Sequence, residues 1–230
     1  MLNPEFTFIE NDGLSLRVAL AGSGPLILCV HGWPELWYSW RHQMAYFSSR
    51  GYRVAAMDVR GYGGSDKPEA VEAYTLQCLA SDAAAVLEAL TDEPALLVGH
   101  DWGAPVVYQT ALRYPDRVSA VAGLSVPFRP ASDVFMLDVM AQVYADRFFY
   151  MEYFQQEELP ERECEADVAG SLRRVYFAAS GDADPDIWYA KKPKSAGMLD
   201  GMPDPDPFPR WMTPADLAVY AESFAAGGFR

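Results

Sequence analysis

The sequence predicts an α/β fold, a mostly parallel sheet carrying a helical insertion, and three observations lead there. Three unbroken apolar runs, Leu26–Val30, Val54–Val59 and Ala95–Val98, are separated by helix-length amphipathic stretches at about 36–50 and 74–90. Continuous apolar strands alternating with helices mean a parallel sheet covered on both faces. From Phe128 onward the pattern changes to aromatic, Met and acidic residues at helical spacing.

In chain order, residues 5–20 alternate apolar and polar around Asn11-Asp12-Gly13, as two antiparallel strands joined by a tight turn do. This predicts an edge hairpin ahead of the three buried strands. A fourth run, Val118–Val126, ends at Pro127 and closes an N-terminal core unit, residues 1–127. Residues 128–230 read as a helical lid, with helices predicted over about 133–155, 160–178 and 214–226. Between the last two, residues 182–210 hold Pro185, Pro193, Pro203, Pro205, Pro207 and Pro209, which predicts a meandering loop. Thr213-Pro214 restarts a helix, Thr213 as N-cap and Pro214 at the first helical position.

Composition narrows the function. A chain of 230 residues, 50% apolar and 13% aromatic, is ample for one packed core plus a lid. Eighteen Lys and Arg against thirty-two Asp and Glu give a net charge of −14 and leave no basic face for nucleic acid or an anionic membrane. A small neutral ligand fits better. The three cysteines, Cys29, Cys78 and Cys164, are far apart and lack metal-like spacing, so no disulfide framework, metal or cofactor is expected and the set reads as reduced and cytoplasmic. The N-terminus has no signal-peptide pattern, and no apolar run approaches the length of a membrane span. Gly22-Ser23-Gly24 is not a phosphate loop, because a strand follows it rather than a helix.

In open α/β sheets, ligands bind beyond the carboxyl ends of the strands. Strand Ala95–Val98 runs into Gly99-His100-Asp101-Trp102-Gly103 and then directly into a helix, the sequence form of a nucleophile elbow. The elbow residue is Asp101, and no Gly-x-Ser-x-Gly occurs elsewhere, so a serine esterase has no nucleophile here. A carboxylate attacks ester or amide carbonyls poorly but can displace a leaving group from an sp³ carbon, forming an alkyl ester. Hydrolysis of that ester needs a general base and an oxyanion hole. The turn His31-Gly32-Trp33-Pro34 after the first buried strand supplies one candidate N–H, that of Trp33, and the elbow supplies the other, that of Trp102. A third strand end, Asp58 to Asp66, is a Gly-rich loop that borders the same crevice. Taken alone, Gly-x-Asp-x-Gly is an ordinary turn; it gains meaning from the His-Gly-x-Pro upstream. His31 and His100 read as structural strand-end histidines, His42 as a surface residue of a helix, and Arg60 and Asp66 as residues that fix their own loop.

Together, His31-Gly32-Trp33-Pro34-Glu35, Asp58-x-Arg60-Gly61-Tyr62-Gly63-x-Ser65 and Gly99-His100-Asp101-Trp102-Gly103 resemble the epoxide hydrolases of the α/β-hydrolase fold, over essentially the whole chain. The resemblance implies that Asp101 opens the epoxide, that the Trp33 and Trp102 amides form the oxyanion hole, and that lid tyrosines protonate the departing alkoxide. Tyr150-Met151-Glu152-Tyr153-Phe154-Gln155 is similar to the family segment carrying the first such tyrosine, and the match falls on Tyr150. Tyr153, close to the same helix face, is the competing choice. Pocket walls are expected from Trp33, Pro34, Trp102, Phe128 and Tyr153. A cis Trp33–Pro34 bond suits a turn that points the Trp33 N–H into the crevice, and the family implies it too. The substrate class is a small apolar epoxide, with water as second reactant; the oligomeric state stays open, a homodimer included.

The chain also departs from the family pattern, which places the general-base histidine, its acidic partner and a second lid tyrosine after the lid. Here all three histidines precede Asp101 and the sheet's later strands are missing, so the expectation is an N-terminal portion of a longer enzyme. Two rivals remain. A haloalkane or haloacid dehalogenase uses the same aspartate and holds halide with N–H donors, a task open to Trp102. Against it, Tyr150 is needed by an alkoxide and not by a halide, and haloalkane dehalogenases commonly resemble His-Gly-Asn where Trp33 stands. The other rival, of a different class, is a catalytically incomplete fragment or binding protein.

Overall fold

The computed structural model describes residues 3–130, 132–184, 187 and 192–230. The chain divides into two compact units, Met1–Arg129 and Pro130–Arg230; the change of sequence pattern falls at 127/128.

The first unit is built on β1 (Glu5–Asn11), β2 (Leu14–Ala21), β3 (Leu26–Val30), β4 (Arg53–Met57), β5 (Ala95–His100) and β6 (Val118–Leu124). These form one sheet in the order β1-β2-β4-β3-β5-β6. β1 and β2 are the predicted antiparallel edge hairpin, and β2 joins β4 antiparallel. From β4 through β3 and β5 to β6 the pairing is parallel.

Side chains of β3 alternate between two layers, and both are apolar. On one side, Ile27 and Cys29 pack with Val54, Ala56 and Trp40, and with Met44 of α1 (Arg41–Ser48). On the other, Leu28 and Val30 pack with Ala55, Met57 and Leu97 against α2 (Leu76–Leu90) and α3 (Gly103–Arg113). Burial on both faces is why these strands lack the polar alternation of β1. The predicted helix at 36–50 is a 3-10 turn, Trp37–Trp40, running into α1. Thr75, whose hydroxyl accepts from the Cys78 N–H, starts α2 as its N-cap. Cys29, Cys78 and Cys164 are free, and burial pushes the Cys29 thiol up to about 12.

The second unit contains α4 (Met136–Val143), α5 (Tyr150–Tyr153), α6 (Leu159–Glu165), α7 (Val168–Ala178) and α8 (Pro214–Gly227). The helix predicted over 133–155 is broken in two. Phe149 is extended, and the Phe148 N–H, instead of continuing the helix, donates to the carbonyl of Lys192. The helix predicted over 160–178 also divides, because the Asp167 side chain accepts from the Gly170 N–H and caps a new helix. Within the predicted meander, residues 185, 186 and 188–191, Pro185 among them, lie outside the described residues, and 192–210 is turns and irregular backbone. Thr213 caps α8 as predicted, and Asp216 returns its carboxylate to the Thr213 N–H, completing a capping box. Among the described residues no helix is long and apolar enough to cross a membrane.

Candidate active site

The chain leaves β3 for β4 on one side and returns to β5 on the other, so β3 and β5 flank a switch point, where a crevice opens at the carboxyl ends of the strands. Asp101 sits there, between β5 and α3, with φ at 52°. A non-glycine residue in the left-handed region is uncommon, and Asp is one of the few that adopts it readily. The helix after this tight turn lies close against β3: a Cβ on Gly103 would run into the Val30 carbonyl. Gly32 is as constrained, since a Cβ there would occupy the space of the Asp101 carboxylate and the Trp102 N–H.

Two backbone amides converge on the carboxylate. The Trp33 N–H donates to Asp101 Oδ1 at 2.9 Å, and the Trp102 N–H also donates to the Asp101 side chain. Burial nevertheless dominates, and Asp101 is held above the usual carboxylate range although both amides and the nearby His100 pull it down. The Trp33–Pro34 peptide is cis, and the turn that contains it is closed by the Glu35 N–H donating to the Gly32 carbonyl at 3.1 Å.

Glu35 is the residue sequence reasoning missed. Its Oε2 accepts from the Gly32 N–H at 2.9 Å and lies 2.8 Å from His100 Nδ1, so one carboxylate ties the turn after β3 to the elbow after β5. Nothing in a single sequence pairs positions 65 residues apart. Burial opposes ionisation of Glu35, but the hydrogen bond and charge of His100, with the Gly32 N–H, bring it below the usual range. The same hydrogen bond raises His100, with burial opposing it. The gain from the raised histidine is complete below pH 6.5 and is lost as pH climbs through its folded value. The gain from the lowered glutamate is complete above pH 4.5 and is lost on acidification, so the pair stabilises most between those limits. We therefore expect an NMR titration midpoint for His100 above 6.5 that falls back in Glu35→Gln. An unchanged midpoint would remove Glu35 as the cause.

The other histidines take the structural places expected of them. His31 is buried; its Nδ1 lies 2.8 Å from the Gly32 carbonyl, and its Nε2 accepts from the Val59 N–H at 3.1 Å. His42 is exposed on α1. Asp58 is a second missed hub: it accepts from the Trp37 N–H, the Gly64 N–H and the Arg17 guanidinium, joining the Gly-rich loop to the start of the 3-10 turn. Asp66 holds its loop by accepting from the Ser15 N–H. Arg60 anchors the same loop from its other side, reaching Asp82 of α2 and the Ala73 carbonyl.

Of the predicted pocket residues, Pro34 is buried in the turn and the Trp102 side chain is 56% exposed. Phe128 is exposed and meets Tyr108 of α3 edge-on. Tyr150 and Tyr153 belong to the second unit, at the two ends of α5. Tyr153 is buried and its hydroxyl donates to Glu163 Oε2 at 2.7 Å, while Tyr150 is half-buried between Phe149 and Phe154.

A parallel sheet with an aspartate at a strand-to-helix elbow and two amides aimed at it defines an α/β-hydrolase-type site. Comparison with known proteins agrees: the α/β hydrolase fold family matches over residues 25–171. Epoxide hydrolase A of Mycobacterium tuberculosis is 38% identical over 229 residues, 98% of this chain and 71% of that protein. Bifunctional epoxide hydrolase 2 of Sus scrofa is 34% identical, over 95% of this chain and 39% of its own length. Among solved structures, epoxide hydrolase A from Mycobacterium thermoresistibile superposes with a TM-score of 0.92 at 42% identity, covering 99% of this chain and 72% of that one. An epoxide hydrolase from an endophytic Streptomyces gives 0.93 at 41%, covering 98% and 69%. The chain belongs to the epoxide hydrolase family of the α/β-hydrolase fold.

Proposed function

We propose that the protein opens small apolar epoxides to vicinal diols through an alkyl-enzyme ester on Asp101. One Asp101 oxygen attacks an epoxide carbon, the carbon–oxygen bond of the ring breaks, and the ring oxygen takes a proton from the Tyr150 hydroxyl. Water then adds to the ester carbonyl carbon, the negative oxygen of the tetrahedral intermediate rests on the Trp33 and Trp102 amides, and the acyl–oxygen bond cleaves. Of the two water protons, one goes to the leaving diol oxygen and the other restores Tyr150, while the water oxygen stays in the carboxylate.

The observation that carries the reading is the pair of N–H donors on the Asp101 carboxylate. The Trp33 N–H holds Oδ1, and both donors are already in place when charge develops on the ester. Tyr150 is preferred to Tyr153 as acid because the match to the family segment falls on it; the Tyr153 hydroxyl donates to Glu163. None of the three histidines is assigned the hydrolytic base: both ring nitrogens of His31 are occupied, His100 is paired with Glu35, and His42 lies on the surface of α1. Residues 130–230 serve as the lid in this scheme, and the free cysteines suit a reducing cytoplasm.

Parallel assays on styrene oxide and a bromoalkane test the substrate class. Diol from the first and no bromide from the second is expected, with Tyr150→Phe slowing ring opening by roughly 10²–10⁴. Bromide release without diol would instead make the protein a dehalogenase.

A further inference from the structure

We propose that Glu163 is a positioning residue for Tyr150, holding the single helical turn that carries it; the proposal rests on Tyr150 being the acid. α5 spans only Tyr150–Tyr153, and its N-cap, Phe149, makes no capping hydrogen bond from its side chain. One turn of helix does not sustain itself in water, because nucleation costs more than one hydrogen bond returns. Its geometry is therefore imposed from outside.

The Glu163 carboxylate is where the outside contacts meet. Its Oε2 accepts from the Tyr153 hydroxyl at 2.7 Å and from the Met198 N–H at 2.8 Å, and its Oε1 accepts from the Leu199 N–H at 3.0 Å. A carboxylate on α6 thus joins α5 to the irregular segment after Pro193. The chain around Pro193 also holds α5 and its approach: the Lys192 carbonyl takes the N–H of Phe148, just ahead of α5, at 3.0 Å, and Lys194 Nζ pairs with Glu152 Oε1 of α5 at 2.9 Å. Lys192 Nζ in turn donates to the Met198 carbonyl at 2.9 Å, closing the ring of contacts beside Glu163. Burial and the neighbouring carboxylate push the Tyr153 hydroxyl far above its usual range, so it remains a donor to Glu163 at every working pH. Tyr150 is three residues away on the same turn, and any tilt of α5 displaces its hydroxyl.

The test separates positioning from general structural damage by leaving-group basicity. Ester formation on Asp101 is followed in single turnovers with 1,2-epoxypropane and its 3,3,3-trifluoro analogue, whose alkoxide is less basic and needs the acid less. Tyr150→Phe should slow epoxypropane much more than the fluorinated epoxide. Tyr153→Phe, which cuts only the tie from α5 to Glu163, should show the same selectivity at about 10-fold, part of what a general acid supplies, and should add little to Tyr150→Phe in the double variant. Glu163→Gln should behave alike, with its melting temperature as the check on folding. A Tyr153→Phe loss that is equal for both epoxides, multiplies with that of Tyr150→Phe, or is absent overturns the proposal while leaving Tyr150 as the acid. If Tyr150→Phe itself shows no selectivity, the reading of the acid fails, and the proposal with it.

Discussion

Asp101→Asn is expected to abolish ester formation and yet raise the melting temperature. An amide oxygen is not a nucleophile for epoxide carbon, so the loss in rate should be on the order of 10⁴–10⁶, the scale seen when an enzyme loses its nucleophile. The stability gain follows from linkage. Burial holds the Asp101 carboxyl above its ordinary range, so the folded chain binds that proton more tightly than the unfolded chain does. Between the two pKa values stability falls as pH rises, and the whole penalty is present once the folded carboxyl is ionised. Asn removes the charge, keeps an oxygen for the Trp33 amide, and tolerates the left-handed backbone that this position requires. Thermal unfolding at pH 7 checks it: a lower melting temperature for Asp101→Asn would mean that the ionised carboxylate stabilises the site.

The largest loss of stability should come from Asp82→Ala. Arg60 is 3% exposed and reaches Asp82 with two parallel hydrogen bonds, Nε to Oδ2 at 2.5 Å and Nη2 to Oδ1 at 2.6 Å, while its Nη1 donates to the Ala73 carbonyl at 2.7 Å. Asn11 Nδ2 donates to the same carboxylate at 2.8 Å. Removing Asp82 leaves a guanidinium buried without its counter-charge, which costs about 3–5 kcal/mol. Replacing both partners with apolar residues, Arg60→Met with Asp82→Leu, should recover much of it, because no charge is then stranded. Denaturant unfolding of the single and double variants gives the comparison; equal losses would show that the pair acts through packing and not charge.

How far this was legible in the sequence depends on the range of the interaction that decides each feature. Leu26–Val30 and Ala95–Val98 were readable because a parallel strand buried on both faces must be apolar at every position. Asp101 was readable because the elbow needs small residues at fixed offsets, a wholly local demand. The break after α4 was not, since residues 144–149 contain neither Gly nor Pro, and the partner that takes the Phe148 N–H is the distant Lys192 carbonyl. Glu35 with His100, and Arg60 with Asp82, were out of reach for the same reason: each pair exists only once the sheet has brought two strand ends or a loop and a helix together. Within α5, sequence favoured Tyr150 by its match to the family segment and kept Tyr153 as the competing choice; the tie from Tyr153 to Glu163, ten residues on and in another helix, was not readable.

The central claim, a covalent ester on Asp101, is tested most directly by acid-quenching the protein during reaction with a small epoxide and mapping its peptides by mass. The mechanism predicts one substrate mass on the peptide carrying Asp101, present while epoxide is being turned over and absent in Asp101→Asn. An Asp101 peptide that stays unmodified at every time point while epoxide is consumed would contradict it.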